Sequence, residues 1–359
     1  MLNNILFIAP SNSIHSHKWI DFFAKQKDLK IFWISFYKKD SAINISPSIN
    51  YYELSNHNSL KIFLFILKLI KKVRFSTVHL HYLGKFSYIT QFLNIKNLIL
   101  SPWGSDIKLL KKNSIKYFII RKILNSSDLI TVDADYMFPV IKSISGNNNI
   151  NIKRINFGTD TTFFSPTNNP KVFNKFVKII SLRNLEKIYS VDTVIKAAKV
   201  LRDKFKTQFK IDIYGDGSQK EYLMQMINEL SLANYISLIG KYQYNELPNI
   251  LNKYDLYISS STSDAGLAAS TSEAMSCGVI PVVSNNSENE FWMSNNSGFL
   301  YQTSSHKDLA NKIIDLTNLD YDSKLIISQN ARDKIIDYNS YENEMTKMLN
   351  IYRKFNESN

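Results

Sequence analysis

The sequence predicts an α/β protein built from two doubly wound parallel-sheet domains. Short apolar runs of strand length alternate with amphipathic stretches of helix length. The alternation breaks once, in a segment rich in turn residues, and then restarts with the same rhythm.

In the first half the strand-like runs are Ile5–Ala9, Leu29–Ile34, Thr77–His81, Leu98–Ser101 and Leu129–Val132. Helical periodicity lies between them at Trp19–Lys27, Leu60–Val73 and Ser114–Asn125. Strand, helix, strand in repetition implies a parallel sheet covered on both faces. The segment Ile155–Lys175 holds Gly158, Pro166, Pro170 and several small polar residues, which is linker chemistry. The second half repeats the pattern. Val177–Ser181, Lys210–Tyr214, Ile236–Ile239, Leu256–Ser260 and Ile280–Val283 read as strands, with helices from about Val191, from about Ser218 and through Glu273. The tail from about Tyr338 reads as one more helix.

Composition bounds the function classes. At 359 residues the chain has room for two domains, and 44% hydrophobic against 21% charged residues is globular rather than disordered. The single cysteine, Cys277, excludes an internal disulfide framework and makes a reducing cytoplasm the expected compartment. Cys277 has no histidine near it in sequence and reads as a small buried residue, and no G-x-S-x-G elbow is present. The opening MLNNILFIAP reads as a first strand rather than a signal peptide. Leu60–Lys72 is the most apolar stretch, but Lys68 interrupts it and it falls short of the roughly 20 residues of a membrane span. Two readings of it stay open: a core-packed helix with a solvated basic end, or a surface helix resting on anionic lipid. The net charge of +13 attracts polyanions, but there is no zinc-finger spacing, RNP-like signature or recognition helix to point to nucleic acid.

The motif with most chemistry is SSSTSDAGLAASTSEAMSCGVIPVVSNNSENEFW, from Ser259 to Trp292. A strand ends at Ser259–Ser260, and Ser261–Asp264 leads into a helix expected near Gly266, with Gly278 as its cap. Gly266, Ala268 and Ala269 leave the helix N-terminus open, where free amides and the helix dipole suit a diphosphate. Glu273, about two turns in, could accept hydroxyl hydrogen bonds, as from a ribose. An ordinary strand–helix–strand unit with a surface glutamate fits the same residues. Gly215 and Gly217 form a G-x-G after a strand, which is either a ligand turn or only a tight turn. The H-x-H pairs His15/His17 and His79/His81 lack a cysteine or acidic partner at zinc spacing, and hydrogen bonding to a ligand fits them better.

EAMSCGVIPVV resembles the donor-site motif of glycosyltransferase family 4. VHLHYL, SPWGSDI, INFGTDTTFF, IISLRNLEKIYSVDTVIKAAKVL, IYGDGSQKEYL and LIGKYQYNELPNILNKYDLYISSS resemble further family landmarks, in the expected order over nearly the whole chain. The resemblance implies a GT-B fold: two Rossmann-like domains facing a central crevice, at 1–165 for the acceptor and 166–337 for the nucleotide-sugar. A terminal helix, 338–359, would pack back on the first domain. It implies a retaining, metal-independent hexosyltransferase that needs no cofactor beyond its co-substrate, a nucleotide-sugar, most commonly a UDP-sugar. The acceptor would be polyprenyl-pyrophosphate-linked or a saccharide, at the inner face of a bacterial membrane and in peripheral contact with anionic lipid.

Carried over residue by residue, the resemblance makes Asp106, Arg183 and Lys187 the catalytic set. Gly215, Gly217, Tyr242, Asp264, Ala265, Gly266, Leu267, Ala268 and Glu273 would bind the donor, and His15, His17, His81 and Trp103 would lie on the acceptor side. Three departures stand out. Ala265 replaces the family's first glutamate, with Asp264 the nearest carboxylate. The usual Lys-Gly after Arg183 is out of register, with Lys187 as the replacement cation. Trp103 stands where many relatives have histidine. These departures keep a non-catalytic donor-binding or scaffold subunit as the alternative.

Overall fold

The computed structural model describes residues 3–40, 44–84, 95, 97–108, 110–167, 176–204, 208–264 and 266–357. The chain divides into two compact units: Met1–Phe157 with Glu342–Asn359, and Gly158–Tyr341.

In the first unit the elements run β1 (Asn3–Ile8), α1 (Ile14–Ala24), β2 (Leu29–Ser35), β3 (Asn50–Glu53), α2 (Ser59–Lys72), β4 (Thr77–His81), β5 (Leu98–Ser101), α3 (Ser105–Lys108), α4 (Ile115–Asn125), β6 (Leu129–Val132), α5 (Met137–Ser145) and β7 (Ile152–Arg154). The seven strands are parallel, in the order β3-β2-β1-β4-β5-β6-β7. Alternate strand residues such as Leu6, Ile34 and Leu80 pack with Ile62 and Ile66 of α2, Ile120 and Ile123 of α4, and Ile141 of α5. On the other face Phe7 meets Phe23 of α1 and the ring of Tyr352. With both faces covered, the strands read as continuous apolar runs.

The second unit runs β8 (Val177–Ser181), α6 (Val191–Lys204), β9 (Phe209–Tyr214), α7 (Lys220–Glu229), β10 (Ile236–Gly240), α8 (Leu247–Leu251), β11 (Leu256–Ser259), α9 (Ala269–Ser276), β12 (Ile280–Ser284), α10 (Asn289–Met293), β13 (Phe299–Tyr301), α11 (His306–Asn318) and α12 (Tyr321–Asn339). Its six parallel strands are ordered β10-β9-β8-β11-β12-β13. The last helix, α13 (Tyr341–Glu357), carries Tyr352 of the first unit's core. The tail helix expected from about Tyr338 is α13, and α12 is a further helix that ends before it, the two parted at Ser340. Ser340 and its neighbours pair with Thr159: Thr159 N–H donates to Asn339 O at 2.7 Å and Tyr341 N–H to Thr159 O at 2.9 Å. Gly158, at φ +78°, touches this crossing, where a Cβ would lie 2.4 Å from Tyr341 Cα.

Both strand orders reverse at a switch point, between β1 and β4 in the first unit and between β8 and β11 in the second. Ligands of open α/β sheets bind at such points, beyond the carboxyl ends of the strands.

Candidate functional site

At the second unit's switch point the chain leaving β8 carries Arg183 and the chain leaving β11 carries Asp264, and their side chains form a buried ion pair. The Arg183 guanidinium lies over the Tyr189 ring, 4.3 Å from its centroid, and Nη1 reaches Ser270 Oγ at 3.5 Å. Its Nε is buried with no hydrogen-bond partner.

Backbone stitching sets this geometry. Thr262 N–H donates to Ile188 O at 2.9 Å, and Ser260 Oγ donates to Tyr189 O at 2.8 Å. Asn286, just past β12, donates from Nδ2 to Ser261 O at 2.5 Å and accepts from Asp264 N–H at 3.2 Å. The loop that aims Asp264 is thus tied to both neighbouring strands. Gly215 and Gly217 abut the loop after β8 that carries Arg183. A Cβ on Gly215 (φ +136°) would lie 2.4 Å from Arg183 O, and one on Gly217 would lie 2.5 Å from Leu185 O. The two glycines therefore let the Arg183–Glu186 backbone pass, which accounts for the G-x-G turn.

Helix α9 begins at Ala269, later than the expected start near Gly266. Gly266 sits at φ +138° and Ala268 is extended, so neither Gly266 nor Leu267 nor Ala268 is helical. Ala265 lies outside the described residues. Ala268 is the N-cap, and its methyl gives no side-chain hydrogen bond. Ser13, Asn58, Ser114, Ser305 and Asp320 do cap α1, α2, α4, α11 and α12. The first-turn amides of α9 therefore lack the side-chain acceptor that closes those other starts. A buried guanidinium beside the positive end of a helix is unfavourable without an anion. Asp264 fills that role within the chain.

Because α9 starts later, Glu273 lies one turn in rather than two, and it is 8% exposed. The Tyr244 hydroxyl hydrogen-bonds to it, and burial followed by the Glu273 charge raises the Tyr244 pKa. Tyr244 stacks against Phe163 with ring centroids 5.8 Å apart. Tyr242 is half-buried, and burial and then Glu273 push its hydroxyl up to about 12. Lys187 stands apart. It is exposed on a 3-10 turn, lining a cavity of about 330 Å³ with Glu186, Asp192, Gln219 and Tyr222.

In the first unit the sequence-selected residues divide. Ser13 caps α1, and His15 and His17 both sit at its N-terminal end. His17 is buried, its Nε2 3.0 Å from Ser11 O and its ring edge-on to Trp33, a packing arrangement. His15 lies against Trp103 and Phe157, where loss of water and then the Lys18 charge lower its pKa. His81, at the carboxyl end of β4, is buried with both ring nitrogens unpartnered, and burial takes its pKa down to about 3. Trp19 and Trp103 flank its ring, and Trp103 Nε1 is also buried without a partner. Asp106 is buried and held by backbone amides. One oxygen accepts Leu83 N–H at 2.7 Å and the other Trp103 N–H at 3.0 Å. Burial holds its pKa above the ordinary value against the pull of those amides. It fixes the loop that presents Trp103.

Sequence reasoning missed Tyr189, Asn286 and Tyr244. Tyr189 was visible only as an intruder where a Lys-Gly was expected. Asn286 lay in a polar run after a strand, and Tyr244 beside the selected Tyr242.

The second unit matches the family model described as Glycosyl transferases group 1 over residues 167–334, and the first matches Glycosyl transferase 4-like over residues 4–134. A similar protein is the GtfA subunit of UDP-N-acetylglucosamine–peptide N-acetylglucosaminyltransferase from Limosilactobacillus reuteri. It is 32% identical over 110 residues, covering 31% of this chain and 20% of that one. Another is the poly(ribitol-phosphate) alpha-N-acetylglucosaminyltransferase of Staphylococcus aureus, 29% identical over 201 residues, covering 55% of this chain and 39% of that one. The chain thus spans well under half the length of either relative. Among solved structures, HepE of Anabaena in complex with UDP superposes with a TM-score of 0.78 at 15% identity, over 99% of this chain and 100% of that one. With both halves matched in order and the fold shared throughout, the chain belongs to the GT-B glycosyltransferase family.

Proposed function

We propose that this chain is a retaining glycosyltransferase that moves a sugar from a nucleotide-sugar, a UDP-sugar foremost, to a lipid-linked or saccharide acceptor in bacterial surface-polysaccharide assembly. Its place is the inner face of the cell membrane, on anionic lipid. The observation that carries the reading is the convergence of a buried arginine, an uncapped helix N-terminus and, one turn on, a buried glutamate at the second unit's switch point. A diphosphate would replace the Asp264 carboxylate on Arg183 and accept from the first amides of α9. Glu273 would take ribose hydroxyls in place of the Tyr244 phenol. The UDP bound by HepE and the UDP-sugar in the name of the Limosilactobacillus relative favour uridine. The polymer in the name of the staphylococcal relative favours a surface glycan.

In the proposed step the bond from the sugar's anomeric carbon to the diphosphate oxygen breaks and a bond to the acceptor oxygen forms on the same face. The acceptor proton passes to the departing phosphate. The protein's part is to stabilise negative charge on that phosphate, through Arg183 and the α9 amides, while Lys187, exposed at a separate cavity, is left out of that set. His15, His81 and Trp103 form the acceptor side, with Asp106 as a positioning residue behind Trp103. No cofactor beyond the donor is part of this reading.

Thermal shift with UDP, GDP, CMP and ADP, beside Glu273→Ala, tests it. One diphosphate should stabilise the wild type and bind on the order of 10- to 100-fold more weakly to the variant. No shift with any nucleotide would sink the donor-site assignment. A clean shift without transfer to any acceptor would favour the non-catalytic subunit.

A further inference from the structure

Residues 54–127 hold thirteen Lys and Arg and one acidic residue, Asp106, a net of +12 in a chain whose total is +13. That acidic residue is buried. Nearly all the excess positive charge therefore belongs to α2, α4 and the segments beside them. Ile62, Ile66 and Leu69 of α2 and Ile120, Ile123 and Leu124 of α4 enter one core on one face of the first unit's sheet, so both outer surfaces face away from the same layer. Those surfaces are not merely polar. Leu60 and Leu64 on α2 are 65% and 53% exposed, and Ile115 and Phe118 on α4 are 81% and 55% exposed. Helical spacing puts Lys68 and Lys71 on the Leu60–Leu64 stripe and Lys122 on the Ile115–Phe118 stripe, while Lys111, Lys112 and Lys116 surround the start of α4. All six lysines are exposed.

We propose that the α2–α4 face of the first unit docks on an anionic lipid bilayer, with Ile115, Phe118, Leu60 and Leu64 entering the headgroup boundary and the lysines pairing with lipid phosphates. Two observations select lipid over nucleic acid. Phosphate-backbone binding needs only cations and leaves large apolar side chains without a partner. An amphipathic face of apolar and basic residues gains from both parts of a bilayer. Exposed Leu325 and Ile326 on α12 follow a run of mixed charge, Asp320, Asp322 and Lys324, rather than a basic one. No helix among the described residues is long and apolar enough to cross a membrane, so the contact is peripheral.

The inference rests on the reading of a membrane-borne acceptor, but it breaks separately. The whole protein is co-sedimented with vesicles of phosphatidylcholine alone and with added phosphatidylglycerol. Binding should need the anionic lipid and weaken with salt. Lys111→Glu/Lys112→Glu/Lys116→Glu should lower partition on the order of 100-fold, at roughly fivefold per lysine. Ile115→Ser/Phe118→Ser should lower it about tenfold or more at unchanged charge. Lys199→Glu/Lys204→Glu/Lys307→Glu, an equal charge change in the second unit, should leave it unchanged. Equal loss in that control, or no partition by the wild type, overturns the proposal. Retention on duplex DNA without vesicle binding overturns it in favour of nucleic acid. UDP stabilisation and transfer to a soluble acceptor, measured in the same variants, should be untouched. If transfer fails everywhere while partition follows the face, the enzymatic reading falls and the docking surface stands.

Discussion

The two units share a topology and load their switch points in opposite ways. In the second unit the strand ends carry charge: Arg183 against Asp264, and Glu273 against a phenol, each pair resembling a ligand contact. In the first unit they carry neutral imidazoles among aromatic rings. His79 Nδ1 lies 2.5 Å from Tyr352 Oη and its Nε2 lies 2.6 Å from Ser101 Oγ, while His81 has no polar partner. One sheet end thus carries charged side chains and the other neutral rings. The fold permits both, so the difference lies in side chains at equivalent places.

The largest expected effect strikes the charged end. Arg183→Ala should cut turnover with a UDP-sugar on the order of 100- to 1000-fold, as loss of a charge-stabilising donor does. Unchanged turnover would remove the diphosphate from this switch point.

Acid should strike the neutral end next. Burial lowers the folded pKa of His81 to about 3, and burial with its neighbour His81 puts His79 well below 6.5. Between the folded and unfolded values the unfolded chain binds more protons, so stability present above about pH 6.5 is lost as pH falls toward 3. The slope is about 1.4 kcal/mol per pH unit for each imidazole. Hydrogen exchange at pH 7.5 and pH 5 should show first-unit amides losing protection ahead of second-unit amides. His81→Phe should flatten that dependence, and equal loss in both units would contradict the contrast.

A smaller change sharpens the donor-site half. Asp264→Asn removes the internal anion from Arg183, and UDP should bind roughly tenfold tighter while the unliganded protein melts earlier. Added UDP should recover the lost melting temperature. Weaker UDP binding would make Asp264 a donor contact rather than a stand-in. Smallest is Tyr352→Phe, which breaks the bond to His79 and should cost about 1 kcal/mol. UDP binding should stay unchanged, and a loss there would show that the two ends are coupled.

Much of the fold was legible because it is written in local period. β4, β5, β6 and β8 occupy the residues that alternating apolar runs marked. The elements not read include β3, β7, α5, α11 and α12. β7 has three residues, β3 is a tyrosine pair between Asn50 and Glu53, and α12 carries apolar side chains without a sharp stripe. The candidate site was half legible. Arg183 and Glu273 could be picked out by resemblance, and Asp264 only as the nearest carboxylate.

The sequence by itself determined the α/β class, the doubled strand–helix rhythm and the excess of positive charge, since each is a property of composition and of neighbouring residues. Tertiary structure decided what those residues do. The Arg183–Asp264 pair joins positions 81 residues apart, and His79–Tyr352 joins positions 273 apart. Whether a buried charge is free or satisfied depends on which distant group the fold brings within hydrogen-bond reach, and no local pattern encodes that distance.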